Sequence, residues 1–147
     1  MPGDAAEDAL FRLVLTIPKL EYGATEAIEP VARLFYRGPD ASIKIYHGAP
    51  PLPWSIEEIG GTRKMEGIVE QLCESTELPA AAPLESPFAK SGALDPVAGF
   101  DVAWFKEPEL RLPVGRWTIS VSSEISIGDC GGEPHRLTAA VDITVRP

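Results

Sequence analysis

Two segments near the C-terminal end constrain this chain more than any other part of it. In residues 112–121, Trp117, Ile119 and Val121 alternate with Thr118, Ser120 and Ser122 just beyond. In residues 137–145, Leu137, Ala139, Val141, Ile143 and Val145 alternate with Thr138, Asp142 and Thr144. Successive side chains in a strand point to opposite faces, so each segment reads as a strand with one buried face. A paired, half-buried strand couple near the end of a chain requires a sheet with something packed on it.

The rest of the chain repeats that pattern in shorter pieces. Phe11, Leu13, Leu15 and Ile17 alternate with polar residues up to Pro18; Ile28, Ala32, Leu34 and Tyr36 form a second buried set. Ile43 and Ile45 head a third strand, and Leu52, Trp54 and Ile56 a fourth. Arg37-Gly38-Pro39-Asp40, Gly48-Ala49-Pro50-Pro51 and Gly60-Gly61 separate them as turns. Thirteen glycines and fifteen prolines among 147 residues argue against long helices. Met65, Ile68, Val69, Leu72 and Cys73 have helical spacing, yet Gly67 lies among them and strands flank them; an irregular strand is the favoured reading, a helix the alternative. Residues 79–99 read as a long loop with a short extended piece within 84–90, and Phe100, Val102 and Trp104 as a further strand.

Seven to eight short strands without βαβ alternation predict an all-β fold, an Ig-like antiparallel β-sandwich with Greek-key connections. Residues 1–9 are expected to form a loose tail, and 10–147 a single domain. The net charge of −9 and the lack of a basic cluster disfavour nucleic acid. No apolar run is long enough for a transmembrane segment. The opening Met1 to Asp8 stretch is small and acidic, unlike a signal peptide; either the protein is cytoplasmic or a leader preceded this chain.

Several stretches together resemble a known group: Ile17-Pro18-Lys19 with Tyr22, Ala32 through Pro39, Ile43 through Gly48, Lys90-Ser91-Gly92, and Leu112 through Ile119. They are similar to small Ig-like domains of bacterial extracytoplasmic and lipoprotein-like proteins of unknown function. That group is distantly akin to the bacterial intracellular proteinase inhibitor family. The resemblance covers residues 10–145. It implies an Ig-like fold and a place in the envelope or outside the cell, and it brings no catalytic residues.

The candidate chemistry is sparse. Cys73 and Cys130 make an even pair in a β fold, which points to a disulfide closing a loop of 57 residues; two reduced cytosolic thiols are the alternative. Cys130, His135, Asp129 and Glu133 lack the spacing of a metal site, so no metal and no cofactor is expected. His47 and His135 are the only histidines, and neither falls in a catalytic motif, so the chain reads as non-catalytic. Trp54, Trp104 and Trp117 alternate with apolar residues and are expected in the core. Tyr46 and Phe105 fall on the opposite faces of their segments. Tyr46, Trp54, Phe105 and His135 are therefore the candidates for partner binding. The function expected is protein interaction or structural support. A proteinase inhibitor presenting the 79–99 loop is one alternative, and a small-ligand or glycan binder using Tyr46, Trp54 and Phe105 is another. No oligomeric state follows from the residues.

Overall fold

The computed structural model describes residues 1–91 and 99–147. It is all-β, with thirteen strands among those residues and a single short helix. In chain order they are β1 (Gly3–Glu7), β2 (Phe11–Thr16), β3 (Glu21–Gly23), β4 (Val31–Tyr36), β5 (Ser42–Ala49), β6 (Trp54–Glu58), β7 (Lys64–Met65) and β8 (Glu70–Pro79). Then follow β9 (Leu84–Pro87), α1 (Val102–Lys106), β10 (Gly115–Ser122), β11 (Ile125–Ile127), β12 (Glu133–His135) and β13 (Thr138–Arg146). Four of the strands, β3, β7, β11 and β12, have three residues or fewer, too few to leave an alternation signal. That is why the strand total exceeds the seven to eight expected.

The strands form three open sheets: β1-β2-β4-β9, β3-β13-β10-β6-β7 and β12-β11-β5-β8. All pairings are antiparallel except β13 with β3. The opening pair of the sequence, β10 and β13, is the centre of the second sheet, in register from Gly115 opposite Val145 to Ser122 opposite Thr138. Trp117, Ile119 and Val121 are buried, as are Ala139, Val141, Ile143 and Val145. They share one core with Phe11, Leu13 and Leu15 of β2 and Ala32 and Leu34 of β4. The long apolar sides of the first two sheets thus cover each other, which is what two one-sided sheets must do.

Three expectations are corrected. Part of the predicted tail is strand β1, laddered on β2 from Gly3 opposite Thr16 to Glu7 opposite Arg12. Its side chains are small or charged, so it carries no apolar period; main-chain bonds hold it, together with Asp4, whose Oδ2 accepts from the Ala140 amide at 2.9 Å. Residues 102–106 are helix, not strand. Asp101 caps α1 by accepting the Trp104 amide at 2.8 Å, and Phe100 stacks on Trp104 at 3.9 Å, a spacing of four residues that suits a helix turn. Trp104 is correspondingly half-buried rather than central. The 64–74 stretch is the irregular strand favoured above: β7, a break, then β8, with Ile68 47% and Leu72 49% exposed. Of the 79–99 stretch, β9 is laddered on β4 from Val31 opposite Pro87 to Leu34 opposite Leu84, and 92–98 lie outside the described residues.

Candidate functional site

The third sheet carries the most varied chemistry. Tyr46 and His47 are adjacent on β5 and therefore face opposite ways. Tyr46 pairs with Ser126 on one side and Ser75 on the other, on the outer face. His47 pairs with Ile125 and Glu74; Ile125 in turn pairs with His135, so the two histidines flank one isoleucine on the inner face. At Gly48 the β5–β8 register shifts. A Cβ there would lie 2.2 Å from the Glu70 carbonyl oxygen, so only glycine allows this approach.

Cys73 and Cys130 are disulfide-bonded, with Cα atoms 5.8 Å apart. The bond ties β8, at the sheet edge, to the loop joining β11 and β12. That loop is tight: a Cβ on Gly132 would lie 1.9 Å from the Ile127 carbonyl oxygen. Ser126 Oγ donates to the Asp129 carbonyl at 2.8 Å, and Asp129 Oδ1 accepts the Gly131 amide at 2.9 Å. Tyr46, His47, Cys73, Cys130 and His135 line one cleft of about 540 Å³. Four of the six residues singled out from the sequence are brought together here.

Both histidines are buried. His47 Nδ1 lies 2.7 Å from the Gly48 carbonyl, which can only accept, so Nδ1 carries the proton. Nε2 is then the acceptor for the Thr76 hydroxyl at 2.7 Å. His135 Nδ1 donates to Asp8 Oδ2 at 2.7 Å, and its ring meets Phe11 edge-on at 5.1 Å. Its Nε2 is buried without a partner among the described residues. Ser123 is committed too: its hydroxyl donates to the His135 carbonyl at 2.9 Å and accepts the Leu137 amide at 2.8 Å. Neither histidine faces a serine nucleophile in these bonds. With the two sulfurs bonded to each other, Cys130 has no thiolate to offer a Cys130–His135 metal site. Among the described residues no three His, Cys, Asp or Glu side chains converge on a metal position.

The Asp8–His135 pair was invisible in the sequence, since 127 residues separate its members. Burial pushes the Asp8 carboxyl up. The hydrogen bond from His135 and those from the Phe11 and Leu10 amides outweigh it, so the net shift is downward. A carboxyl that titrates lower in the folded than in the unfolded chain stabilises above its unfolded value, and that contribution is lost as pH falls through the folded value. Asp8→Asn is therefore expected to cost about 1 kcal/mol near neutral pH, reduced from a buried pair by partial exposure. The gap between variant and parent narrows below about pH 4. Urea unfolding of both proteins near neutral pH and near pH 3 reads this directly; a gap constant with pH removes Asp8 as its origin.

The remaining candidates lie elsewhere. Trp54 is buried on β6 and lines a second cavity of about 620 Å³, with Leu52, Pro53, Ile68, Glu70 and Lys90. Phe105 is half-buried on α1 and meets Trp104 edge-on at 5.0 Å. Tyr46, Trp54 and Phe105 therefore do not form one aromatic patch. Lys90 donates to the carbonyls of Trp104 and Glu107 and lies over the Trp104 ring at 4.1 Å. No helix among the described residues is long and apolar enough to cross a membrane.

β8, at the edge of the third sheet, is almost entirely exposed. In β8, Leu78 alone is buried and Thr76 alone is intermediate; the other eight residues are exposed. Comparison with family models, with curated proteins and with solved structures gives no match to this chain. The functional reading therefore rests on geometry.

Proposed function

We propose that this chain is a non-catalytic, Ig-like sandwich that binds an extended segment of a partner protein by strand addition along β8. The observation that carries the reading is the outer edge of β8, which pairs with no strand among the described residues. The Ala80 amide donates to the Ala41 carbonyl at 2.9 Å, and Ser42 lies opposite Pro79. Hydrogen-bonded pairs alternate in an antiparallel ladder, so Ile43–Leu78, Ile45–Thr76 and His47–Glu74 exchange bonds inward. The amides and carbonyls of Cys73, Ser75 and Glu77 then face outward, three donors and three acceptors in line. An extended chain docking there completes the ladder, with main-chain bonds supplying affinity.

Charge selects the partner. β8 contributes Glu70, Glu74 and Glu77, and none of the three is ion-paired among the described residues. Two copies of this strand would bring together six like charges on adjacent edges, which blunts self-association. A segment bearing lysine or arginine is the complementary occupant. The disulfide fits an oxidising compartment, in keeping with an extracytoplasmic place for the protein.

Ser75→Pro tests this. Proline removes one outward donor and blocks the approach of a neighbouring strand, while edge positions tolerate it. On an array of extended peptides of varied sequence, the parent is expected to retain peptides rich in basic residues, and Ser75→Pro to lose at least tenfold in their apparent affinity with its thermal midpoint little changed. Equal binding by the two proteins defeats strand addition at β8.

A further inference from the structure

The Cys73–Cys130 disulfide joins two pieces that are otherwise held very unequally. The loop after β11 is fixed by its own bonds: Ser126 Oγ to the Asp129 carbonyl, the Gly131 amide to Asp129 Oδ1, and the Gly132 amide to the Asp129 carbonyl at 3.1 Å. On the other side, residues Glu70 to Ser75 of β8 bury no side chain. Their ladder to β5 is interrupted as well, its register shifting between His47 and Ala49. Firmer anchorage begins at Thr76, whose hydroxyl donates to His47 Nε2 at 2.7 Å, and at buried Leu78. Segments with few buried apolar contacts open locally at the smallest cost. The disulfide therefore hangs the N-terminal half of β8 on a loop that keeps its own shape. Cys73 and Cys130 are both exposed, and both line the 540 Å³ cleft, so a small reductant can approach the bond in the folded protein.

We propose that this bond regulates the partner site: reduction by a dithiol releases the N-terminal half of β8 and weakens strand addition, and the reverse exchange restores it. This rests on strand addition at β8. A thiolate of the dithiol attacks one sulfur, the Cys73–Cys130 bond breaks, and the other sulfur leaves as a thiolate that takes up a proton. The second thiol of the reductant, deprotonated, attacks the mixed disulfide and frees the remaining cysteine, which is protonated in turn. Two electrons pass to the protein, which gains two thiols, and the reductant becomes a cyclic disulfide. Outward donors and acceptors at Cys73 and Ser75 are in line only while this half of β8 lies on β5, so fraying lowers the binding-competent fraction and the apparent affinity with it. The coupling is reciprocal: a bound strand must favour the disulfide over the dithiol by the same factor.

The test uses the full chain, dithiothreitol as the dithiol, and a fluorescent cysteine-free peptide of alternating lysine and threonine as the strand. Without urea, dithiothreitol is expected to reduce the bond and to weaken peptide binding about tenfold or more, while the amides of β10 and β13 stay protected from exchange. Saturating peptide is expected to shift the dithiol–disulfide balance towards the oxidised protein by that same factor. The Cys73→Ser, Cys130→Ser double variant is expected to bind as weakly as the reduced parent and to ignore dithiothreitol. Equal affinity in the two redox states, reduction only once urea unfolds the chain, or loss of protection in β10 and β13 together with β8 overturns the switch and leaves strand addition standing. A double variant whose binding still responds to dithiothreitol also overturns it. If the oxidised parent does not bind the peptide, or Ser75→Pro binds it equally well, strand addition fails and the switch fails with it.

Discussion

Replacing both Cys73 and Cys130 by serine is expected to lower the free energy of unfolding by about 4 kcal/mol. The bond closes a loop of 57 residues, and in the chain-entropy account that is the conformational freedom it removes from the unfolded chain. The thermal midpoint should fall by about 10 °C for a domain of this size. The loss should also be uneven in space. β8 has one buried side chain, Leu78, near its C-terminal end. Its N-terminal half is held by the ladder to β5 and by the disulfide. Without the bond, the β8 amides that face β5, such as that of Glu74, should exchange with solvent far sooner than those of β10 and β13. Urea unfolding and amide exchange on the oxidised and double-serine proteins measure both effects. A change below about 1 kcal/mol, or uniform loss of protection, contradicts the proposed role.

Trp117→Ala is the other large effect, expected at about 3–5 kcal/mol. The residue is fully buried at the centre of the second sheet, between Glu58 of β6 and Ile143 of β13. Phe100 stacks near it at 5.7 Å, and the Arg63 guanidinium lies 5.2 Å from its ring. Truncation leaves a cavity, and the Pro113 carbonyl loses its donor. Trp117→Phe bears on the two contributions differently, since it removes the N–H but leaves a much smaller cavity than alanine does; about 1–2 kcal/mol is expected. Equilibrium urea unfolding distinguishes the two, and equal losses in the alanine and phenylalanine variants contradict the cavity account.

What could be read from the sequence follows the strength of its periodicity. β10, β13, β2 and β4 were legible because each buries one face deeply and so needs an apolar residue at every second position. β1 and β8 were illegible or ambiguous for the opposite reason: β1 buries no side chain fully, β8 only Leu78, and a ladder of main-chain bonds leaves no mark on side-chain type. The 100–106 stretch misled because Phe100, Val102 and Trp104 fit a period of two while Phe100 and Trp104 also fit a helix turn. Asp101 at the cap position was the signal that should have decided between them. At the site, the disulfide could be anticipated from an even cysteine pair, and Tyr46 and His135 from their oddity. Their convergence on one cleft, and the Asp8–His135 bond, depend on chain crossings that no local pattern encodes.

The contacts made by β1 carry a consequence for how the molecule assembles in time. Asp4 accepts from the amide of Ala140, and Asp8 holds the ring of His135, so some of the contacts made near the beginning of the chain wait for residues more than a hundred positions later. Loop closure over such separations must occur before those contacts return anything, which places the chain among slow folders, in milliseconds to seconds rather than microseconds. During synthesis the first strand leaves the ribosome long before β12 and β13 exist. Until they arrive, β2 lacks its facing sheet, and an early intermediate exposes Phe11, Leu13 and Leu15 to whatever else is nearby.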